Sequence, residues 1–188
     1  RMFLDNFPGR VLYAVKCNPH LDVLNPLYEA GIRHFDTASL QEIATIRENF
    51  SDADCYFMHP VKSRSAIKSA HSVYRVDHYV IDHEAELQKI IDETGGGDGQ
   101  VVIVRLQTPQ HDAGFALSEK FGATPAEAAE LMRKVVNAGC QTGLAFHVGS
   151  QCRSKNAFVD AVEVVREVLE QADDQKRDQL LNDLGGTT

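Results

Sequence analysis

No stretch of this 188-residue chain approaches the roughly 18 consecutive apolar residues that a membrane helix needs, so no membrane partner is expected. The opening Arg1-Met2-Phe3-Leu4-Asp5 lacks the apolar core of a secretory signal. Four cysteines, Cys17, Cys55, Cys140 and Cys152, form no Cys-x-x-Cys pair. That argues against a zinc ribbon or a disulfide scaffold and suits a reducing, cytoplasmic setting. Positive charge is short as well: 19 Lys and Arg against 27 Asp and Glu leave a formal charge of −8. An acidic chain is a poor electrostatic partner for phosphate backbones, so no nucleic acid partner is expected.

What is present is ordinary globular composition, 43% hydrophobic and 24% charged, enough to bury a core without staples. Strand-like runs fall at residues 11–16, 33–36, 55–58, 78–82, 101–106, 143–147 and 179–184, their starts 22, 22, 23, 23, 42 and 36 residues apart. Helix-period stretches fill the gaps, the mark of repeated βα units and a parallel sheet. Thr124-Pro125-Ala126-Glu127 and Ser39-Leu40-Gln41-Glu42 are capping boxes, and Gly139 is a helix stop. Ser154 can cap a further helix whose core face reads Phe158, Ala161, Val162, Val165 and Leu169. Two α/β architectures fit, an open doubly wound sheet or a (β/α)8 barrel. A barrel needs eight strands and typically about 250 residues, so the chain reads as one incomplete domain over residues 1–188.

In either architecture, chemistry collects where strands end. Those ends read Lys16, Asp36, His59, Asp82, Arg105, His147 and the pair Gly185-Gly186. Lys16 closes an apolar run; a desolvated lysine there could be a nucleophilic amine, or simply a lysine reaching for solvent. His147 alone reads as a core histidine, but the Val148-Gly149-Ser150 that follows turns it toward a site. His83-Glu84-Ala85-Glu86-Leu87 lacks the second histidine of a zinc protease motif and reads as a helix start, so no metal site is expected. The glycines at 95–99 precede a strand, whereas nucleotide-binding glycines follow one. Gln107-Thr108-Pro109 with His111-Asp112 reads as a loop at the catalytic end.

Tyr13-Ala14-Val15-Lys16-Cys17-Asn18-Pro19 resembles the pyridoxal-phosphate lysine motif of the fold-type III decarboxylases. The resemblance continues through Phe35-Asp36-Thr37-Ala38-Ser39, Val104-Arg105-Leu106 and Lys120-Phe121-Gly122, and is strongest in Phe146-His147-Val148-Gly149-Ser150-Gln151-Cys152. It is closer to the ornithine decarboxylase branch than to diaminopimelate decarboxylase or alanine racemase. It implies a (β/α)8 TIM-type barrel of the alanine racemase and ornithine decarboxylase kind, lacking its last strand and the C-terminal β-domain. By the same resemblance Lys16 forms the internal aldimine with pyridoxal 5'-phosphate, His147 stacks on its ring and Ser150 bonds its phosphate. Asp36 and Arg105 match polar residues beside the lysine and the ring, and Glu42 an acidic position near them. Gly185 and Gly186 match the start of a phosphate loop after a seventh strand, where glycine lets backbone N–H groups approach closely.

The family's loop carries a third glycine and then Phe-Pro, whereas here Gly185-Gly186-Thr187-Thr188 ends the sequence. The chain therefore looks like the middle of a decarboxylase, with residues 1–7 matching the tail of a preceding helix. The implied activity is decarboxylation of a basic amino acid, ornithine to putrescine first and lysine next. The full-length protein is expected to be a homodimer acting on a small-molecule amino acid, and this stretch alone to be inactive. The alternatives are a non-catalytic homologue of the antizyme-inhibitor kind and a racemase on the same barrel. If Ser150 bonds the cofactor phosphate, Ser150→Ala should lose roughly 1.5–3 kcal/mol of binding, about tenfold to a hundredfold. Titrating pyridoxal phosphate into both proteins checks this; equal dissociation constants remove Ser150 from the site.

Overall fold

Each strand-like run between residues 11 and 147 forms a strand, and all six strands are parallel. The computed structural model describes residues 2–6, 8–108, 120–149 and 152–185. The order is α1 (Met2–Asn6), β1 (Leu12–Ala14), α2 (Leu21–Glu29), β2 (His34–Thr37), α3 (Leu40–Asn49), β3 (Asp54–Phe57), α4 (Arg64–Ser72), β4 (His78–Ile81), α5 (Glu84–Thr94), β5 (Val101–Leu106), α6 (Pro125–Asn137), β6 (Gln141–Phe146) and α7 (Asn156–Gly185). Strands neighbour one another in sequence order, β1 through β6, with no reversal. A doubly wound sheet has a switch point where the order reverses. Its absence here makes this the arc of a (β/α) barrel, with every crossover on one side.

The alternation of β5 shows how the arc is built. Val102, Val104 and Leu106 are buried against the helices, while Val101, Ile103 and Arg105 face the inside of the arc and are half-buried. The helix-side layer is apolar throughout, with Phe35, Tyr79, Val102 and Val104 meeting Ile43, Ile46, Ile67, Ile90 and Val135. Helices start where their caps predict. The Ser39 hydroxyl accepts from the Glu42 N–H at 3.3 Å. Thr124 and Glu127 form a reciprocal box, with Glu127 Oε2 accepting the Thr124 N–H at 2.9 Å and Pro125 in the first turn. His83 caps α5 by accepting the Ala85 N–H at 3.1 Å, so that segment is a helix start.

Three expectations change. Residues 179–184 are not a seventh strand but part of α7. Gln179-Leu180-Leu181-Asn182-Asp183-Leu184 holds no β-branched residue, and no Gly or Pro interrupts the chain from Asn156 to Leu184, so helix propensity carries through. The lysine strand is shorter than residues 11–16: β1 stops at Ala14, and Val15–Cys17 curl into a 3-10 turn. The buried face of α7 is rotated from the expected one. Of the expected residues Ala161 is buried and Val165 packs against the core, whereas Phe158, Val162 and Leu169 are about half exposed and Ala157 and Val168 are buried instead. α7 packs against α6, and small residues on a buried helix face let two helices approach closely. No helix among the described residues is long and apolar enough to cross a membrane.

Thr124→Ala removes the side-chain half of the α6 capping box, leaving the backbone N–H at position 124 on Glu127, and should cost about 1 kcal/mol. A urea unfolding curve reads this as a lower midpoint at unchanged slope; an unmoved midpoint contradicts it.

Candidate active site

A cavity of about 250 Å³ opens at the C-terminal ends of the strands. Lys16 enters it from the turn after β1, Asp36 from β2 and Ala38 just beyond it. Met58, His59 and Pro60 come from the loop after β3, Val80 from β4 and Arg105 from β5. Phe121 precedes α6, and Ala145, Phe146 and His147 complete the lining at the end of β6. Asp36, Val80, Arg105 and Ala145 share the inward face because a strand alternates with period two.

The same enclosure acts differently on each ionisable group. Burial pushes the Asp36 carboxyl above the ordinary carboxylate range, Lys16 and Arg105 pull it back, and Glu42 adds to the rise. Arg105 is lowered by burial, against which Asp82 and Asp36 act, and a guanidinium stays charged regardless. Its Cζ lies 5.4 Å from the centroid of the Phe121 ring. His147 is pushed down by burial first and then by the charges of Arg105 and Lys16. Its Nδ1 accepts the Gly149 N–H at 2.9 Å, which puts the proton of the neutral ring on Nε2. Lys16 is exposed at the mouth, so desolvation is not what defines it. Its position beside Asp36 and His147 is.

Several expected residues stand elsewhere. Glu42 does not line the cavity; its Oε2 accepts the Ala38 N–H at 2.7 Å and fixes the loop that does. Asp82 likewise acts from behind, its Oδ2 accepting the Gly122 N–H at 3.1 Å. Gly185 closes α7 and does not follow a strand, which corrects its reading as part of a phosphate loop. Ser150 and Gly186 lie outside the described residues. Residues that strand-end reasoning missed are Met58, Pro60, Val80 and Phe121. Val80 was legible as the inward position two residues before Asp82, and Phe121 by the glycine beside it.

The cavity thus offers a primary amine, a carboxyl that can hold a proton, a fixed cation and a neutral flat ring. Among the described residues, no group of three or more His, Cys, Asp or Glu could hold a metal ion. The donor set fits pyridoxal phosphate: the amine suits its aldehyde, the guanidinium an anionic group, and the imidazole face an aromatic ring.

The family model "Pyridoxal-dependent decarboxylase, pyridoxal binding domain" matches residues 1–187. A lysine/ornithine decarboxylase of Selenomonas ruminantium is 33% identical over 178 residues, 94% of this chain and 44% of that protein. Antizyme inhibitor 2 of Xenopus laevis is 31% identical over 187 residues, 98% of this chain and 40% of that protein. A crystal structure of an SrLDC mutant in complex with PLP superposes with a TM-score of 0.80 at 31% identity, over 92% of this chain and 44% of that one. The chain therefore spans less than half the length of these relatives.

Gly122 is fixed by its surroundings. It sits at φ +106°, and a Cβ there would lie 2.5 Å from the Gln107 nitrogen and 2.7 Å from the Leu106 carbonyl carbon. Gly122→Ala should cost about 2–4 kcal/mol, from the left-handed backbone and a clash with main chain that cannot swing aside. Denaturant unfolding measures the loss; a cost under about 1 kcal/mol would show that the turn yields.

Proposed function

This chain belongs to the family of pyridoxal-dependent decarboxylases, and from that membership we propose that it is the cofactor-binding domain of an enzyme that decarboxylates a basic amino acid. Ornithine is the first candidate substrate and lysine the second. The carrying observation is that Lys16, Asp36, Arg105 and His147, from four separate strand ends, line one cavity. When bound, pyridoxal phosphate supplies the electron sink for the pair left behind as carbon dioxide departs.

The chain's own residues take complementary parts. Lys16 holds the cofactor through its amine; no other lysine lines the cavity among the described residues. Asp36, whose proton is retained more readily than an ordinary carboxyl's, can take up or return a proton at the lysine amine. Arg105 supplies the fixed positive charge for a phosphate or carboxylate. His147 would lie against the ring as a neutral imidazole, bringing no second positive charge to it. Met58, Pro60 and Phe121 enclose the ligand and exclude water. Ser150 is proposed as a phosphate partner on the resemblance of its segment alone.

The match to an antizyme inhibitor across 98% of the chain favours a second reading, a family member that binds a partner and no cofactor. Cofactor titration separates the two. The unaltered chain should develop a stoichiometric visible band with pyridoxal phosphate, and Lys16→Ala should abolish it. A borohydride-reducible adduct at another lysine in the mutant would overturn the Lys16 assignment. No band in the unaltered chain would favour the partner-binding reading.

A further inference from the structure

Beneath the cavity wall lies a charged cluster that the cofactor reading does not use. The Lys62 side chain is fully buried. Its ammonium donates to the main-chain carbonyls of Val80 at 2.6 Å, His59 at 3.0 Å and Pro60 at 3.2 Å. An ammonium has three N–H donors, and three carbonyls take them. Glu86 Oε2 lies 3.4 Å away and supplies the compensating charge. The same oxygen accepts the Lys62 backbone N–H at 3.3 Å. Lys89 pairs with the other Glu86 oxygen and donates to the Lys62 carbonyl at 2.7 Å.

His59, Pro60 and Val80 all line the cavity. We propose that Lys62 is a positioning residue of the cofactor site, its buried ammonium tying the loop after β3 to the end of β4 so that His59 and Pro60 form a fixed wall. The inference rests on the cavity being the cofactor site. Its specificity lies in the partners: every carbonyl on the Lys62 ammonium belongs to a cavity residue, whereas Lys89, the other cation on Glu86, bonds none of them. A buried ion pair retained only for packing has no reason to select those three carbonyls. Burial also draws the lysine down to about 8, against the pull of Glu86.

The test compares Lys62→Met with Lys89→Met on the same chain, by amide hydrogen exchange without cofactor and by titration with pyridoxal phosphate. Lys62→Met is expected to speed exchange at Val61 and Lys62 position amides about tenfold and to raise the cofactor dissociation constant about tenfold. The circular dichroism that the protein induces in the bound cofactor should change as well. Lys89→Met should leave loop exchange, affinity and dichroism at their original values while lowering the unfolding midpoint. Unchanged exchange and affinity in Lys62→Met, or equal losses in both variants, overturn the proposal. Should Lys62→Met not fold, Lys62→Met combined with Glu86→Gln and Lys89→Met removes all three charges of the cluster together, and the same outcomes decide. Failure of the unaltered chain to bind cofactor, with the exchange contrast intact, would overturn the cofactor reading and leave the loop assignment standing.

Discussion

The site depends on the parallel register of the sheet. Ala14 pairs with Asp36, Asp36 with Tyr56, Val80 with Ile103 and Arg105 with Ala145. Because side chains alternate, a slip of one residue would carry Asp36 and Arg105 to the helix-facing layer now filled by Phe35, Val104 and Leu106. An unpaired charge in that layer costs several kcal/mol. The apolar helix-side residues therefore hold the polar ones in place, although they never touch the cavity. Hydrophobic packing on one face fixes the chemistry of the other.

Within the cavity, one physical cause gives three protonation outcomes. Burial disfavours charge on every group it encloses. For Asp36 it outweighs the attraction of Lys16 and Arg105, so the carboxyl rises. For His147 burial and the neighbouring cations act together, so the ring is held neutral. For Arg105 burial also lowers the value, but a guanidinium starts too high to lose its proton. The result is a fixed cation among groups that resist carrying charge, which suits an anionic ligand with a flat ring. A lysine in place of Arg105 would hold that charge less firmly, since burial lowers an ammonium from a starting value closer to neutrality.

The strand ends were legible because apolar, β-favouring residues give way to a polar one near the end of each run, as Val104 does to Arg105 and Phe35 to Asp36. The caps were legible because Ser39, Thr124 and their glutamates sit at fixed spacing. The rest failed for identifiable reasons. Val15 made the lysine strand look longer than it is, because β-branching favours a strand without guaranteeing a partner on both sides. The leucines at 180, 181 and 184 mimicked a strand by hydrophobicity, although leucine is itself a strong helix former and no β-branched residue stands beside them. On α7 the helical period leaves two adjacent apolar stripes, and hydrophobicity favours the one with Phe158. The buried face keeps Ala161 from that stripe but takes in Ala157 and Val168 in place of Phe158, a preference for small residues that hydrophobicity does not show.

Lys62 left no signal, since a single lysine after Pro60-Val61 belongs to no periodic pattern. Its role follows from an obligation of the backbone. The loop after β3 turns the carbonyls of His59 and Pro60 inward, toward the end of β4, so that they and the Val80 carbonyl meet at one point, the Lys62 ammonium. Apolar side chains could fill that space but could donate nothing, and buried carbonyls left unpaired cost about 1–3 kcal/mol each. Burying an ammonium is itself costly by several kcal/mol, which Glu86 and the three carbonyls together offset. A lysine is long enough to start on the loop and reach back beneath it with three donors at one point. The wall of the cavity and the charge under it are thus one solution to one hydrogen-bonding constraint, and the chain meets it with a side chain that never reaches the ligand.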